Sequence, residues 1–230
     1  MDEKEAQEFI FNTIKEKSVL EQDVFNNIIL NFKVLKQVLK ELGDDLRGRI
    51  ETVDERVIVE YKDTGEFEAQ LRVAGDVLVF HMHTNVFRFD SQNSLWNTSY
   101  FKENPNRGYC GVINIYNFLN DSLKYNRVND AGYLIGRLFI NGENHFMVEG
   151  KRQMGFLYND IINSVIDKEK MKALIQSAIL YTLDFDLFVP PYDQVKEVSV
   201  FEIQQLSDNL KLKTGKRLGF KFKADSDSIE

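Results

Sequence analysis

His81 and His83 stand two residues apart in Gly75-Asp76-Val77-Leu78-Val79-Phe80-His81-Met82-His83, a run with strand character. Strand side chains alternate between faces, so both imidazoles should project the same way. Two imidazoles on one face suit one divalent transition metal, such as iron, manganese, nickel or zinc. The chain has 3 histidines, and the third, His145, lies in another predicted strand with Glu149 on the same strand face. His81, His83, His145 and Glu149 are therefore the candidate metal ligands. The competing reading gives each histidine an ordinary hydrogen-bonded place on a sheet.

A second candidate is aromatic. Residues 90–108 are polar and turn-rich, and Leu95, Trp96, Tyr100 and Phe101 sit among them. A loop of this length inside a domain often carries function. Trp96, Tyr100 and Phe101 are the candidate binding loop, and the plainer role for Trp96 is to pin that loop to the core. Cys110 alternates with Val112 in a strand and reads as core rather than nucleophile. Asp184 and Asp186 could pair two carboxylates, but acidic residues near turns more often cap helices. The basic run of Lys211, Lys213, Lys216, Arg217, Lys221 and Lys223 interleaves with Leu218, Phe220 and Phe222. Such a strand could contact phosphates and stack bases, or could be an edge strand protected by lysines.

These residues need a frame. Asp2 and Glu5 have capping-box spacing before an apolar stripe of Ala6, Phe9, Ile10 and Ile14. Ser18 and Glu21 repeat the signal, and Val24, Phe25, Ile28, Ile29, Phe32, Leu35, Val38, Leu39 and Leu42 follow at helical spacing. Gly43 is placed to end that helix. Residues 1–43 thus read as a helical hairpin, and the wide face of helix 18–43 needs a sheet, the first helix or a second subunit to cover it.

Residues 49–158 read as a mainly antiparallel sheet. Phe67, Ala69, Leu71 and Val73 alternate with polar residues, and strands are expected at 56–61, 77–83, 86–89 and 109–118. Asn141-Gly142 predicts a two-residue hairpin turn, with Leu138 opposite His145 and Arg137 opposite Phe146. Met154 to Tyr158 reads as a further strand. Residues 159–210 read as helices, one over 160–166, one capped by Asp167 and one over 199–210. Residues 216–223 read as a last strand and 225–230 as a flexible tail. The expectation over 1–224 is one α+β domain, a mainly antiparallel sheet packed by N-terminal and C-terminal helices.

Composition narrows the function. The chain has 230 residues, 43% hydrophobic, with 18 phenylalanines and a formal charge of −7. That balance argues for a globular core and against nucleic acid as partner. No G-x-G-x-x-G or G-x-x-x-x-G-K-[ST] segment occurs. One cysteine suits a reducing compartment, Met1 to Glu5 lacks a secretory signature, and no apolar run approaches a membrane span. A cytoplasmic, soluble protein is expected.

Gly75 with His81-x-His83, and Gly142 with His145 and Glu149, resemble parts of the two cupin motifs. The resemblance covers two short stretches and implies a β-barrel holding one divalent metal through His81, His83 and His145. It departs from the family where Phe87 and Arg88 stand in place of the first-motif glutamate, and where no proline precedes Gly142. With no convergent catalytic set, the leading expectation is a cofactor-free ligand- or protein-binding or adaptor domain. The alternative is a cupin-like metal-binding protein or metalloenzyme. The partner would be a protein or small molecule, with a homodimer through helix 18–43 as one option.

Overall fold

In the computed structural model, residues 2–128, 130–184, 189, 191–201, 203 and 204 are described. The expected last strand over 216–223, the tail over 225–230 and most of the helix over 199–210 lie outside these residues.

The chain opens with α1 (Glu3–Thr13), passes through one π turn (Ile14–Ser18) and continues as α2 (Val19–Ile50). The Asp2/Glu5 capping box forms as expected, at 2.8 and 2.9 Å. The expected hairpin does not. Ser18 is helical and its hydroxyl makes no capping bond. No glycine or proline interrupts Thr13 to Ser18, so a wider turn absorbs the irregularity and the helix goes on. Gly43 does not end α2 either. A Cβ there would lie 3.1 Å from Leu71 Cδ1 and 3.3 Å from Tyr61 Cβ, so glycine allows the helix to cross the sheet closely.

Among the described residues seven antiparallel strands follow: β1 (Val59–Gly65), β2 (Glu68–Val73), β3 (Asp76–Met82), β4 (Phe87–Arg88), β5 (Tyr109–Leu119), β6 (Tyr133–Asn141) and β7 (Phe146–Gly150). Their order is β1-β2-β3-β5-β6-β7, and the short β4 also pairs with β5. This is the expected α+β class. Among the described residues the sheet is open, with β1 and β7 at its edges, and not the barrel that the cupin resemblance implies.

Short helices α3 (Ser99–Glu103), α4 (Asn120–Lys124) and α5 (Gln153–Leu157) fill the connections. The long α6 (Lys168–Leu183) is capped by Asp167, whose carboxylate accepts the Lys170 N–H at 2.7 Å. Two expectations fail in this part. Met154 to Leu157 lie in α5, with Tyr158 just after it, rather than in a strand, because a five-residue apolar run fits either period. Residues 160–166 form turns, with Asp160 accepting from the N–H groups of Ile162 and Asn163.

One sheet face is covered by helix. Ile28, Phe32, Leu35, Leu39 and Leu42 of α2 pack with Leu71, Leu78, Phe80, Ile113, Ile115 and Leu138 of the sheet, and with Leu174 and Ile175 of α6. The apolar stripe of α2 is thus taken up inside the chain. The opposite face has a smaller cluster at one end, where Phe101, Cys110 and Ile161 are buried with Phe89, Trp96, Phe139 and Met147 around them.

Candidate functional site

Strand register decides what the open face presents. Glu68 pairs with His81, His81 with Asn114, Asn114 with Arg137, and Arg137 with Glu149. Directly opposed residues share a face. A row of five polar side chains therefore crosses β2, β3, β5, β6 and β7. Beside it, Val112, Phe139 and Met147 form an apolar row, also one residue per strand.

Register also separates the candidate metal ligands. β5 and β6 lie between β3 and β7, which places His81 about 14 Å from Glu149 at ordinary strand spacing. Asn114 and Arg137 stand between them. His145 is displaced further, because the expected two-residue turn does not form. Leu138 faces Val148, Arg137 faces Glu149 and Asn141 takes the place opposite His145. The loop is Gly142 to Asn144, with Asn144 at φ 63°. This shift of three residues carries His145 to the level of Asn141 and Cys110, four residues along β5 from Asn114, the partner of His81. Its Nδ1 lies 2.9 Å from the Ile161 carbonyl and its ring 4.7 Å from Tyr100. Among the described residues, no three His, Cys, Asp or Glu side chains group to hold a metal ion.

His83 and Glu149 do meet at one feature. Both line a cleft of about 500 Å³ between the open face and the chain after β3. Its floor includes Val112, Asn114, Arg137, Phe139 and Met147, and Phe87, Arg88, Phe89, Asp90 and Asn93 form its outer wall. His83 Nδ1 accepts the Asn85 N–H at 3.0 Å, which assigns the ring proton to Nε2. Arg137 donates through Nε to Glu149 at 2.8 Å, and its guanidinium lies 5.5 Å from the Phe139 ring. The cleft thus offers an imidazole N–H, two guanidinium groups, two carboxylates and two amides beside aromatic and aliphatic walls.

The aromatic residues of the 94–108 segment support this wall without lining the cleft. Phe101 is buried, and Trp96 and Tyr100 meet it edge-on at 5.6 and 5.1 Å. Trp96 donates from Nε1 to the Asp90 carbonyl at 2.7 Å, and the Arg88 guanidinium lies 4.6 Å from its ring. Gly108 is required beneath it, since a Cβ there would sit 2.3 Å from the indole. Trp96 therefore fastens the loop and orients Arg88 and Asp90.

A second polar group ties this cover down. Asn141 is fully buried. It donates from Nδ2 to Tyr100 Oη at 2.9 Å and to the Arg107 carbonyl at 3.3 Å, and its Oδ1 accepts the N–H groups of Glu143 and His145. Arg107 pairs with Glu143 at 3.0 Å and lies 4.3 Å from the Tyr100 ring. That hydrogen bond to Glu143 raises the Arg107 pKa, and burial raises the pKa of the Tyr100 phenol. Neither Asn141 nor Arg107 stood out in the sequence as more than turn chemistry.

Cys110 lies under the same cover, 1% exposed, and burial pushes its thiol pKa up to about 12. At mildly alkaline pH, native Cys110 should react with a disulfide reagent roughly a thousandfold more slowly than the unfolded chain does. Stopped-flow absorbance with and without denaturant checks this, and comparable rates would mean that the cover opens freely.

Comparison with known proteins gives no family: no family model, no curated protein and no solved structure matches this chain. No helix among the described residues is long and apolar enough to cross a membrane.

Proposed function

We propose that the chain is a binding domain whose open-face cleft receives an amphipathic small molecule, from the size of an aromatic amino acid to that of a nucleoside. The observation that carries this reading is the cleft itself, where polar Asn114 and Arg137 run alongside apolar Val112, Phe139 and Met147. Its volume of about 500 Å³ lies within the usual range for small-molecule sites. Apolar walls contribute affinity through desolvation, and the few polar groups orient the ligand. Carboxylates and guanidinium groups in one cleft suit a ligand bearing both a donor and an acceptor, as a zwitterion does. The same cleft gives no reason to route a reaction through it, and the reading is one of binding.

Saturation-transfer NMR with phenylalanine, tryptophan, adenosine and guanosine tests it. Transfer is expected from at least one probe, and Asn114→Leu should weaken that probe about tenfold, the worth of one lost hydrogen bond with a buried polar partner left behind. Asn114 is half-buried at the sheet surface, so circular dichroism should be unchanged. Absence of transfer from all four probes, or transfer that Asn114→Leu leaves intact, would remove the reading.

A further inference from the structure

The cleft leaves one large feature of the molecule unused. No residue of α1 is buried. Phe9, Ile10, Phe11, Ile14 and Val19 are 65, 56, 58, 57 and 54% exposed. The first buried residue of the long helix is Val24, so residues 3–20 extend about 27 Å before the helix meets the sheet. A solitary amphipathic helix is marginal in water, and its stability in proteins comes from a covered apolar face. Ala6, Phe9, Ile10, Thr13 and Ile14 lie on one half of the helix surface.

We propose that two copies of this chain associate by antiparallel pairing of these projecting segments. The charges are self-complementary in that orientation. Asp2, Glu3, Glu5 and Glu8 load the start of the helix with negative charge, while Lys15 and Lys17 follow near its end. With Ile10 on the two-fold axis, Ala6 of one copy meets Ile14 of the other, and Glu3 meets Lys17. Within its own chain Lys17 has a loose contact, 3.9 Å from Glu21 and mostly exposed. A parallel pair would instead set the acidic ends together. Antiparallel helices also oppose their dipoles favourably. The apolar side chains supply on the order of 500 Å² per copy, the lower end of what a specific interface needs. A lipid surface fits less well, because interfacial helices are rich in lysine and arginine on the polar face, whereas here Asp2, Glu3, Glu5, Glu8 and Glu16 outnumber Lys4, Lys15 and Lys17. The π turn gives the arrangement its independence. Its wider turn changes the phase of the helix, so the α1 stripe is not a continuation of the stripe that α2 buries on the sheet.

Sedimentation equilibrium on the full chain tests the pairing. A dimer with micromolar dissociation constant is expected. Ile10→Lys should weaken it at least about a hundredfold, since the residue acts twice at the centre. Glu3→Lys should weaken it about tenfold, and adding Lys17→Glu should restore most of the loss. Circular dichroism on each variant confirms that the sheet domain stays folded. A wild-type chain that remains monomeric at about 100 µM overturns the proposal, whether because lipid, another protein or residues 205–230 cover the helix. So does a dimer that Ile10→Lys leaves intact, or a charge swap that does no better than the single change. Wild-type protein that binds phosphatidylserine vesicles without self-association would assign the helix to membranes and also overturns it.

Discussion

Gly111→Ala is expected to destabilise the protein by about 3 kcal/mol, and Gly111→Val by more. Gly111 lies in β5 beneath α2, and a Cβ added there would sit 2.5, 2.6 and 2.8 Å from Ile28 Cβ, Cγ1 and Cγ2. Real side chains do not approach so closely, so either the helix or the strand must move. Neither moves cheaply. β5 is central, held by β3 and β4 on one side and β6 on the other. Ile28 is 1% exposed and belongs to the main core. Denaturant midpoints measure the loss. The contact is specific, so Ile28→Ala in the Gly111→Ala background should cost less than Ile28→Ala alone, with coupling of about 1 kcal/mol. Relief is partial, because alanine keeps the Cβ atom nearest position 111. A Gly111→Ala chain as stable as wild type would mean that α2 does not lie so close to β5.

The fold was legible where one period persisted. Val24, Ile28, Phe32, Leu35, Leu39 and Leu42 form the helical stripe seen in the core, and Ala69, Leu71 and Val73 alternate as their sequence does. Asp167 caps α6 as its position predicts. Local signals failed where they are degenerate. Ser18 and Glu21 have capping spacing, yet nothing between Thr13 and Ser18 forbids helix. Asn141-Gly142 suits a two-residue turn, yet the positive φ falls on Asn144, and that choice depends on the whole hairpin. Asn27 and Asn31 of α2 both donate to Asn144 Oδ1, at 3.0 and 2.9 Å, a contact across more than 110 residues that no local pattern announces.

The site was less legible for a related reason. His81, His83, His145 and Glu149 share a strand-face parity, and parity is all that spacing can establish. Their distances depend on strand order, which places β5 and β6 between the two pairs. Asn114 and Arg137 became candidates only when four registers were combined. Trp96 was visible as an anchor, but Arg88 and Asp90, which its loop helps to set at the cleft wall, carry no sequence signature of their own.

Asn141→Leu is expected to cost about 3 kcal/mol and to loosen the cleft wall together with the core beneath it. Leucine roughly matches the volume but makes none of the four side-chain hydrogen bonds. The N–H groups of Glu143 and His145, the Arg107 carbonyl and the Tyr100 hydroxyl would each lose a partner. Tyr100 and Arg107 belong to the 94–108 cover, and Glu143 and His145 to the β6–β7 loop, so the amide joins two segments that also meet through Arg107–Glu143, Tyr100–Glu143 and Tyr100–His145. Emission of Trp96, the single tryptophan, should shift to the red as water reaches the cover, and Cys110 should gain reactivity in the same variant. Asn141→Asp separates packing from hydrogen bonding. Its carboxylate keeps the two acceptor contacts and loses both donors at a fully buried position, so burial should raise its folded-state pKa above the unfolded value. The folded state then binds the proton more tightly, and the Asn141→Asp deficit should shrink as pH falls through that raised pKa. A deficit that stays constant, or grows relative to wild type, as pH falls would show that a buried charge at position 141 is not the source of the loss.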